Sequence, residues 1–160
     1  MASDYLLELE GIKGESNDSK HAGCIEIDSF SWGFTNAGSM GRGGGGGTGK
    51  VQFQDIHFTK TTDKATPLLV KAACTNQSIK KATLYARKST KSGHVDYYKV
   101  ILSDSVVSSY QSAGNAGDTS IPNDSFSMNF TKFELEYYPQ KPDGSLEGAI
   151  QAMWDRAANA

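Results

Sequence analysis

The sequence predicts a mainly β fold, a β-barrel of two packed, antiparallel-rich sheets with one flanking α-helix. Three segments alternate apolar and polar residues and then change the parity of that alternation midway. Side chains of a strand alternate between its two faces, so the change moves the buried face across the strand and requires a bulge or a bend. Such strands are expected where each one serves two packed sheets or turns a barrel corner.

The three parity changes lie far apart in the chain. In the first, Ile25 and Ile27 are followed by Phe30, Trp32 and Phe34, with the change near Asp28 and Ser29. In the second, Val51 and Phe53 are followed by Ile56 and Phe58. In the third, Phe126, Met128 and Phe130 are followed by Phe133, Leu135 and Tyr137. We interpret them as three long strands.

Three further strands complete the prediction. Residues 5–10 alternate weakly before Gly11, and residues 81–88 and 95–110 flank a Lys-Ser-Gly turn at 91–93. Runs of this kind bounded by turn residues indicate one short strand and one long hairpin.

One segment has the period of an amphipathic helix. Its apolar stripe consists of Leu68, Leu69, Ala72 and Ala73. Thr66 is the predicted N-cap, and Pro67 suits the first turn because its missing N–H costs nothing there. Asn76 is the predicted stop. A helix of this length is marginal alone, so we expect it to dock on the sheet.

Length and composition are typical of one globular domain. The chain has 160 residues, of which 38% are hydrophobic and 21% charged. We expect a single domain over 1–160, with an extended Gly-rich loop at 38–50 and a C-terminal tail at 139–160. The tail begins with turn residues, and its last part is expected either as a short helix or as an extended arm that packs Trp154 on a neighbour.

Charge and hydropathy exclude several classes of partner. The formal net charge is −2, and Lys and Arg are interleaved with acids, so no basic stripe is available for nucleic acid. No apolar run predicts a signal peptide or membrane insertion. We therefore expect synthesis in the cytoplasm without a signal peptide.

Catalytic, cofactor and metal sites are not predicted. His21, His57 and His94 lie in different elements without metal-ligand spacing. Cys24 and Cys74 form no CxxC motif, and both are expected to be buried and reduced.

A glycine run partly matches a phosphate-binding loop. Residues 44–50 fit G-x-x-x-x-G-K, but Val51 replaces the required hydroxyl residue, and a strand follows instead of a helix. This weakens the competing hypothesis of nucleotide hydrolysis, which would depend on Lys50. The loop is expected either as a flexible connection or as a segment that becomes ordered against another copy, and we favour the second. The candidate contact residues are Ser39, Met40, Arg42, Gly44, Gly45, Gly46, Gly47 and Thr48.

The second predicted strand has a small, polar opposite face. Burial of the aromatic residues at 30, 32 and 34 leaves Ser29, Ser31, Gly33 and Thr35 on the other side. This is ordinary for a half-solvated sheet, and in a ring it would line a channel.

Several short motifs resemble the haemolysin-coregulated protein (Hcp) family in order and spacing. They are Lys13-Gly14-Glu15-Ser16, Asp18, His21, Ser31-Trp32-Gly33, Gly49-Lys50, Phe58-Thr59-Lys60, Asp63-Lys64, Thr66-Pro67 and Tyr138-Pro139-Gln140. Each motif is weak alone, but their ordered combination spans nearly the whole chain and is specific. Met153-Trp154-Asp155 departs from the glycine that the family often has before this tryptophan.

The resemblance implies a phage tail-tube-like barrel that forms homo-hexameric rings, which stack into the inner tube of type VI secretion. It also implies effector proteins in the lumen, a spike protein at the tube tip, a contractile sheath around the tube, and export of the chain by this machine. By position, it assigns the Gly-rich loop to contacts with adjacent subunits and the next ring. Ser29 and Ser31 are candidate lumen contacts, with no catalytic role. The alternative is a monomeric carbohydrate- or protein-binding β-sandwich module that uses Trp32, Tyr97 or Tyr98.

Overall fold

The computed structural model describes residues 4–36, 51–117 and 120–160, and these contain ten strands and one helix. The elements in chain order are β1 (Tyr5–Leu9), β2 (Ile25–Ile27), β3 (Ser29–Ser31), β4 (Phe34–Asn36), β5 (Val51–Phe53), β6 (Ile56–Thr61), α1 (Thr66–Thr75), β7 (Ile79–Thr90), β8 (Gly93–Ala113), β9 (Asn123–Tyr137) and β10 (Ile150–Asp155).

One eight-stranded sheet forms the barrel. Its order is β2-β1-β7-β8-β9-β6-β3, and β10 adds to β9. The two end strands, β2 and β3, are consecutive in the chain, so the single residue between them brings the ends of the sheet together. That residue is Asp28, whose N–H donates to the carbonyl of Thr59 at 2.8 Å. The predicted mainly β barrel with one flanking helix is confirmed, and its two packed walls belong to one continuous sheet.

Three neighbouring strands change their buried face at the same level of the sheet. The buried positions pass from Ile79 to Ala82 in β7, from Leu102 to Ser105 in β8, and from Phe130 to Phe133 in β9. Asp104 has a positive φ of 49° here, and its carbonyl accepts a hydrogen bond from Thr131 Oγ1 at 3.1 Å. The sheet bends along this line, which separates two walls that enclose the core.

The three predicted long strands are only partly correct. The last one is the continuous β9, but residues 25–36 divide into β2, β3 and β4, and residues 51–61 divide into β5 and β6. The division arises because the chain exchanges partners: β2 pairs with β1, whereas β3 pairs with β6. Parity in the sequence located these changes of face but did not reveal the change of neighbour.

Helix α1 packs on the barrel core. Leu69 and Ala72 are fully buried in it. Asn76 ends the helix in the left-handed conformation, with φ 51°, as predicted. The predicted N-cap is wrong, because Ala65 occupies that position and Thr66 is the first helical residue. The hydroxyl of Thr66 is instead committed to buried partners described below.

The C-terminal tail ends in a strand rather than in a helix. β10 runs antiparallel to β9, with Trp154 opposite Phe133. Trp154 is partly buried and packs against the core of its own chain.

The two cysteines differ in exposure. Cys24 is buried as predicted, whereas Cys74 is exposed on α1, so that part of the prediction is wrong. Leu69 and Ala72 define the face of α1 that enters the core, and Cys74 lies off that face. Across the described ranges, no helix combines the length and apolar character needed to cross a membrane.

Candidate interaction surfaces

One wall of the barrel has an outer face that consists mainly of Ser, Thr and amide side chains and has no Asp, Glu, Lys or Arg. It is built by β3, β6, the first half of β9 and the last part of β8, whose cross-strand partners share a face. Residues of this hydroxyl face are Ser29, Ser31, His57, Thr59, Thr61, Ser109, Gln111, Ala113, Asn123, Ser125 and Ser127. Its rows run across the strands, for example from Ser29 through Thr59 and Ser125 to Gln111.

Hydrogen bonds within the hydroxyl face fix its side chains. Ser29 Oγ and Thr59 Oγ1 lie 2.5 Å apart across β3 and β6. Ser127 is covered by Ser108 and Ser109, whose hydroxyls both contact its own. The face therefore presents an ordered array of donors and acceptors.

The sequence singled out only a small part of this surface. Ser29 and Ser31 are exposed on it, as the alternation of the second predicted strand indicates. Thr59, Ser125 and the other members belong to strands far away in sequence, and only the register of the sheet brings them together. The signal available in the sequence was the alternation of Ser and Thr with apolar residues in β6 and β9.

Among residues 4–36, 51–117 and 120–160, two strand edges of the hydroxyl face have no neighbouring strand. β3 pairs with β6 alone, and β8 pairs with β7 only as far as Ser105. Within the described residues, no strand continues the sheet beyond β3 or beyond the last part of β8. The two edges belong to different strands and are therefore unlike.

A buried ionic network lies directly beneath this face. Lys60 is fully buried, and its Nζ lies 2.7 Å from Asp63 Oδ1 and 3.0 Å from Asp124 Oδ2. The same Nζ donates to Thr66 Oγ1 at 2.9 Å. The network ties the start of α1 to strands β6 and β9.

Four donors hold the Asp124 carboxylate. Thr62 and Tyr110 donate to Oδ1, both at 2.9 Å, and Thr66 donates to Oδ2 beside Lys60. Burial raises the pKa of Asp124, but the hydrogen bonds from Thr66, Lys60, Tyr110 and Thr62 outweigh it, and the pKa lies below its ordinary value. The carboxylate is therefore ionised and paired.

The opposite wall has a charged outer face. It is formed by β1, β7, the first part of β8, the second half of β9 and β10. The charged residues whose cross-strand registers place them there are Glu8, Lys81, Lys99, Lys132, Glu134, Glu136 and Asp155. Glu136 accepts hydrogen bonds from Tyr138 and Gln151, both at 2.9 Å. Lys99 lies over the ring of Tyr138 at 5.5 Å.

The segment between β1 and β2 folds over this charged face. Arg87 donates to Asp18, and His21 Nε2 lies 2.9 Å from Asp96. The His21 ring packs on Tyr85 with centroids 4.2 Å apart. Burial raises the pKa of Asp18. The hydrogen bonds that its carboxylate accepts from Arg87 and from the backbone N–H groups of Lys20 and His21 outweigh this effect, so the pKa lies below its ordinary value.

Gly14 permits the segment to approach the sheet closely. A Cβ at this position would lie 2.5 Å from the Cys24 carbonyl oxygen and 2.6 Å from Ile25 Cα. Both contacts are with backbone, so a side chain here requires the segment to move. The Lys13-Gly14-Glu15-Ser16, Asp18 and His21 motif thus has a structural role.

An aromatic cluster anchors the two-stranded sheet β4–β5 to the barrel. The Phe53 ring lies 5.3 Å from both Phe34 and Phe133. Trp32 packs on Phe133 at 5.4 Å and donates its Nε1–H to Tyr98 at 3.1 Å. In the sequence, Phe34 precedes the Gly-rich loop and Phe53 follows it.

The loop candidates themselves lie outside the described residues. This holds for Ser39, Met40, Arg42, Gly44, Gly45, Gly46, Gly47 and Thr48. In the part of the chain that the structure describes, no group of three or more His, Cys, Asp or Glu side chains is arranged to hold a metal.

Comparison with known proteins identifies the family. The family described as "Type VI secretion system effector, Hcp" matches residues 6–137. The chain belongs to the Hcp family. It is 38% identical over 160 residues to Protein hcp1 of Pseudomonas aeruginosa, covering 99% of this chain and 98% of that protein.

Solved Hcp structures share the fold. Hcp1 from Salmonella typhimurium superposes with a TM-score of 0.79 at 30% identity, covering 99% of this chain and 98% of the other. A type six secretion system protein superposes with a TM-score of 0.89 at 28% identity, covering 98% and 97%. The Hcp resemblance carried by the short motifs is therefore confirmed, and this Hcp chain is a type VI secretion protein.

Proposed function

We propose that this chain is the structural subunit of a type VI secretion tube, forming hexameric rings that stack and hold effector proteins in their lumen. The observation that carries the proposal is the pair of unlike free edges on the hydroxyl wall. An edge that leaves backbone N–H and C=O groups unpaired is a template for strand addition. Pairing the β3 edge of one copy with the β8 edge of the next is a head-to-tail contact, and such a contact closes into a ring when its rotation permits.

The hydroxyl face then lines the channel. The core and the opposite wall lie behind the hydroxyl wall, on the side away from the hydroxyl face. Bulk packs more easily at the larger radius, so the hydroxyl face turns towards the axis. Ser29 and Ser31 become lumen contacts, together with Thr59 and Ser125 on the neighbouring strands.

The charged wall occupies the outside of the ring. It is suited to contact with water and with the contractile sheath that the family's machine supplies. The proposal also includes a spike protein at the tube tip and export of the chain, and membership of the Hcp family supports both. A subunit of this kind works by geometry, so we propose no enzymatic activity for it.

We assign ring stacking to the Gly-rich loop at 38–50. The aromatic anchor of Phe34, Phe53 and Phe133 gives this loop a rigid base. Glycine loses much backbone entropy when it becomes ordered, so a glycine run is useful where close contact with another subunit compensates that loss.

The monomeric binding module remains a competing function with weaker support. Trp32 packs on the core and donates to Tyr98, so these two rings do not form an open stacking platform. Tyr97 is covered by Lys88, whose Nζ lies 4.7 Å from the ring centroid. No observation favours a sugar over a second copy of the chain.

Light scattering and negative-stain microscopy of the purified full chain test the proposal. The expected result is a hexameric mass and rings with an open centre. Replacing Gly45 and Gly46 by bulky residues should reduce stacking into tubes while single rings persist. A stable monomer at high micromolar concentration would reject the ring, and unaltered tubes in the loop variant would reject the loop's role.

A further inference from the structure

We propose that the hydroxyl face selects cargo proteins whose contact surface is itself uncharged and rich in amide and hydroxyl groups. This inference rests on the proposed function, because it concerns the lumen of the ring. It is drawn from the chemistry of the side chains that the sheet register assembles.

The face offers hydrogen bonds without fixed charge. Seven of its eleven side chains are Ser or Thr, and two more, Gln111 and Asn123, are amides. Each hydroxyl donates once and accepts twice, so the bond between Ser29 and Thr59 leaves both groups able to bind a ligand. Such groups match Ser, Thr, Asn and Gln on a partner equally well.

Two carboxylates border the face. Asp28 precedes Ser29 at its edge and is exposed. The other is already occupied. Asp55 precedes β6 and borders the face, where it accepts hydrogen bonds from Ser108 at 2.6 Å and Asn129 at 2.8 Å. Lys60 and Asp124 lie on the core side of the same strands and are buried. His57 is the one ionisable side chain among the eleven residues of the face.

Charged cargo surfaces are therefore disfavoured. A Lys or Glu pressed against the face loses water and meets no opposite charge among the eleven side chains, so its desolvation is not compensated there. A neutral amide or hydroxyl exchanges water for an equivalent partner at little net cost. Selection arises by rejection of charge as much as by attraction. Each contact is weak, and repetition of the face around the ring adds the contacts together.

Three coumarin-labelled peptides of 16 residues provide the probes. All are built from Gly, Ser, Asn and Gln, and one is left neutral while the others carry four Lys or four Glu. Fluorescence anisotropy is measured against the assembled full chain at pH 8 in low and high NaCl. We expect the neutral peptide to bind about fivefold more tightly than either charged peptide. Its affinity should change by less than about twofold with salt.

Variants at Thr59 locate the binding. Thr59→Lys should favour the Glu peptide over the neutral one, with an affinity that falls as salt rises, because the new ammonium groups face the channel. Thr59→Ser keeps the hydroxyl and should behave as the parent.

The outcomes separate the two proposals. Rings that bind a charged peptide best, or that bind all three equally in the parent and in Thr59→Lys, overturn the selection and leave the tube function standing. A chain that forms no rings in microscopy of the same samples overturns the tube function and this inference with it.

Discussion

The two walls of the barrel share strands but differ in the chemistry of their outward side chains. Strands β8 and β9 run through both walls, yet their outward side chains are Ser, amides and Ala113 on one side of the bend and include Lys and Glu on the other. The charged wall is covered in part by its own chain, through Asp18–Arg87 and His21–Asp96. The hydroxyl wall keeps its ions underneath, in the Lys60 network. Charge is thus used within the subunit and kept away from the surface that we assign to the channel.

The largest expected effect comes from breaking the network beneath the hydroxyl wall. Lys60→Met leaves Asp63 and Asp124 without their cation, and Asp124 is then a buried carboxylate without a counter-ion. We expect a loss of roughly 3–5 kcal/mol in the free energy of unfolding, measured by urea denaturation. Ring formation should also weaken, since the network lies under the strands that carry the free edges.

Lys64→Met is the matched control for Lys60. Lys64 is exposed, so its replacement should change stability by no more than about 0.5 kcal/mol. Equal effects of the two substitutions would show that the buried network contributes nothing specific.

A smaller effect is expected from the cover of the charged wall. Gly14→Ala places a Cβ against the backbone of Cys24 and Ile25, and we expect a loss of roughly 1–3 kcal/mol. Gly33→Ala is the control, because its Cβ meets no atom within 4 Å. Rings should still form in the Gly14 variant, as the charged wall does not carry the free edges. Loss of rings with little loss of stability would contradict the separate roles of the walls.

The smallest expected effect is a loss of stability in acid, to which one carboxylate from each wall contributes. The folded-state pKa values of Asp124 and Asp18 lie below the ordinary value. Their contribution to stability is complete above the ordinary carboxyl pKa of about 3.9 and is lost as pH falls through the folded-state values.

The urea midpoint is therefore expected to decline below about pH 4. Asp124→Asn removes one of the titrating groups, so its decline over this range should be shallower than that of the parent, whatever its absolute stability. If the urea midpoints of the two proteins fall in parallel with pH, Asp124 does not contribute to the acid sensitivity.

The local pattern of the sequence predicted the helix and most of the strands. It did not predict which strands pair with one another. Ser29 and Ser31 were found because alternation is a property of one strand. Thr59 and Ser125 were missed as partners because their adjacency depends on register between distant segments. Lys60 did carry a signal, since it shares the parity of Ile56 and Phe58 and so occupies a core-facing position.

The wrong predictions have a common cause. Thr66 resembled an N-cap, but Lys60, Asp63 and Asp124 all form hydrogen bonds with its hydroxyl. The helix begins one residue earlier than the local preference of Thr66 indicates. Cys74 resembled a core residue by type, and the orientation of α1 placed it in solvent. In both cases tertiary contacts overrode a local preference.

Disulfide cross-linking between the two free edges tests the central claim most directly. Cysteine is introduced at Ser31 in β3 and at Ser109 in β8, singly and together, in a Cys74→Ser background. Burial and Glu8 raise the pKa of the Cys24 thiol to about 11, so that residue should stay unreactive. Further double-cysteine variants combine Ser29 or Ser31 with Ser109 or Gln111, so that different registers between the two edges are tested. The account predicts that a double variant oxidises into a ladder of covalent oligomers ending at six, while the single variants stay monomeric on a non-reducing gel. Dimers from the single variants, or no ladder from any pair, would contradict it.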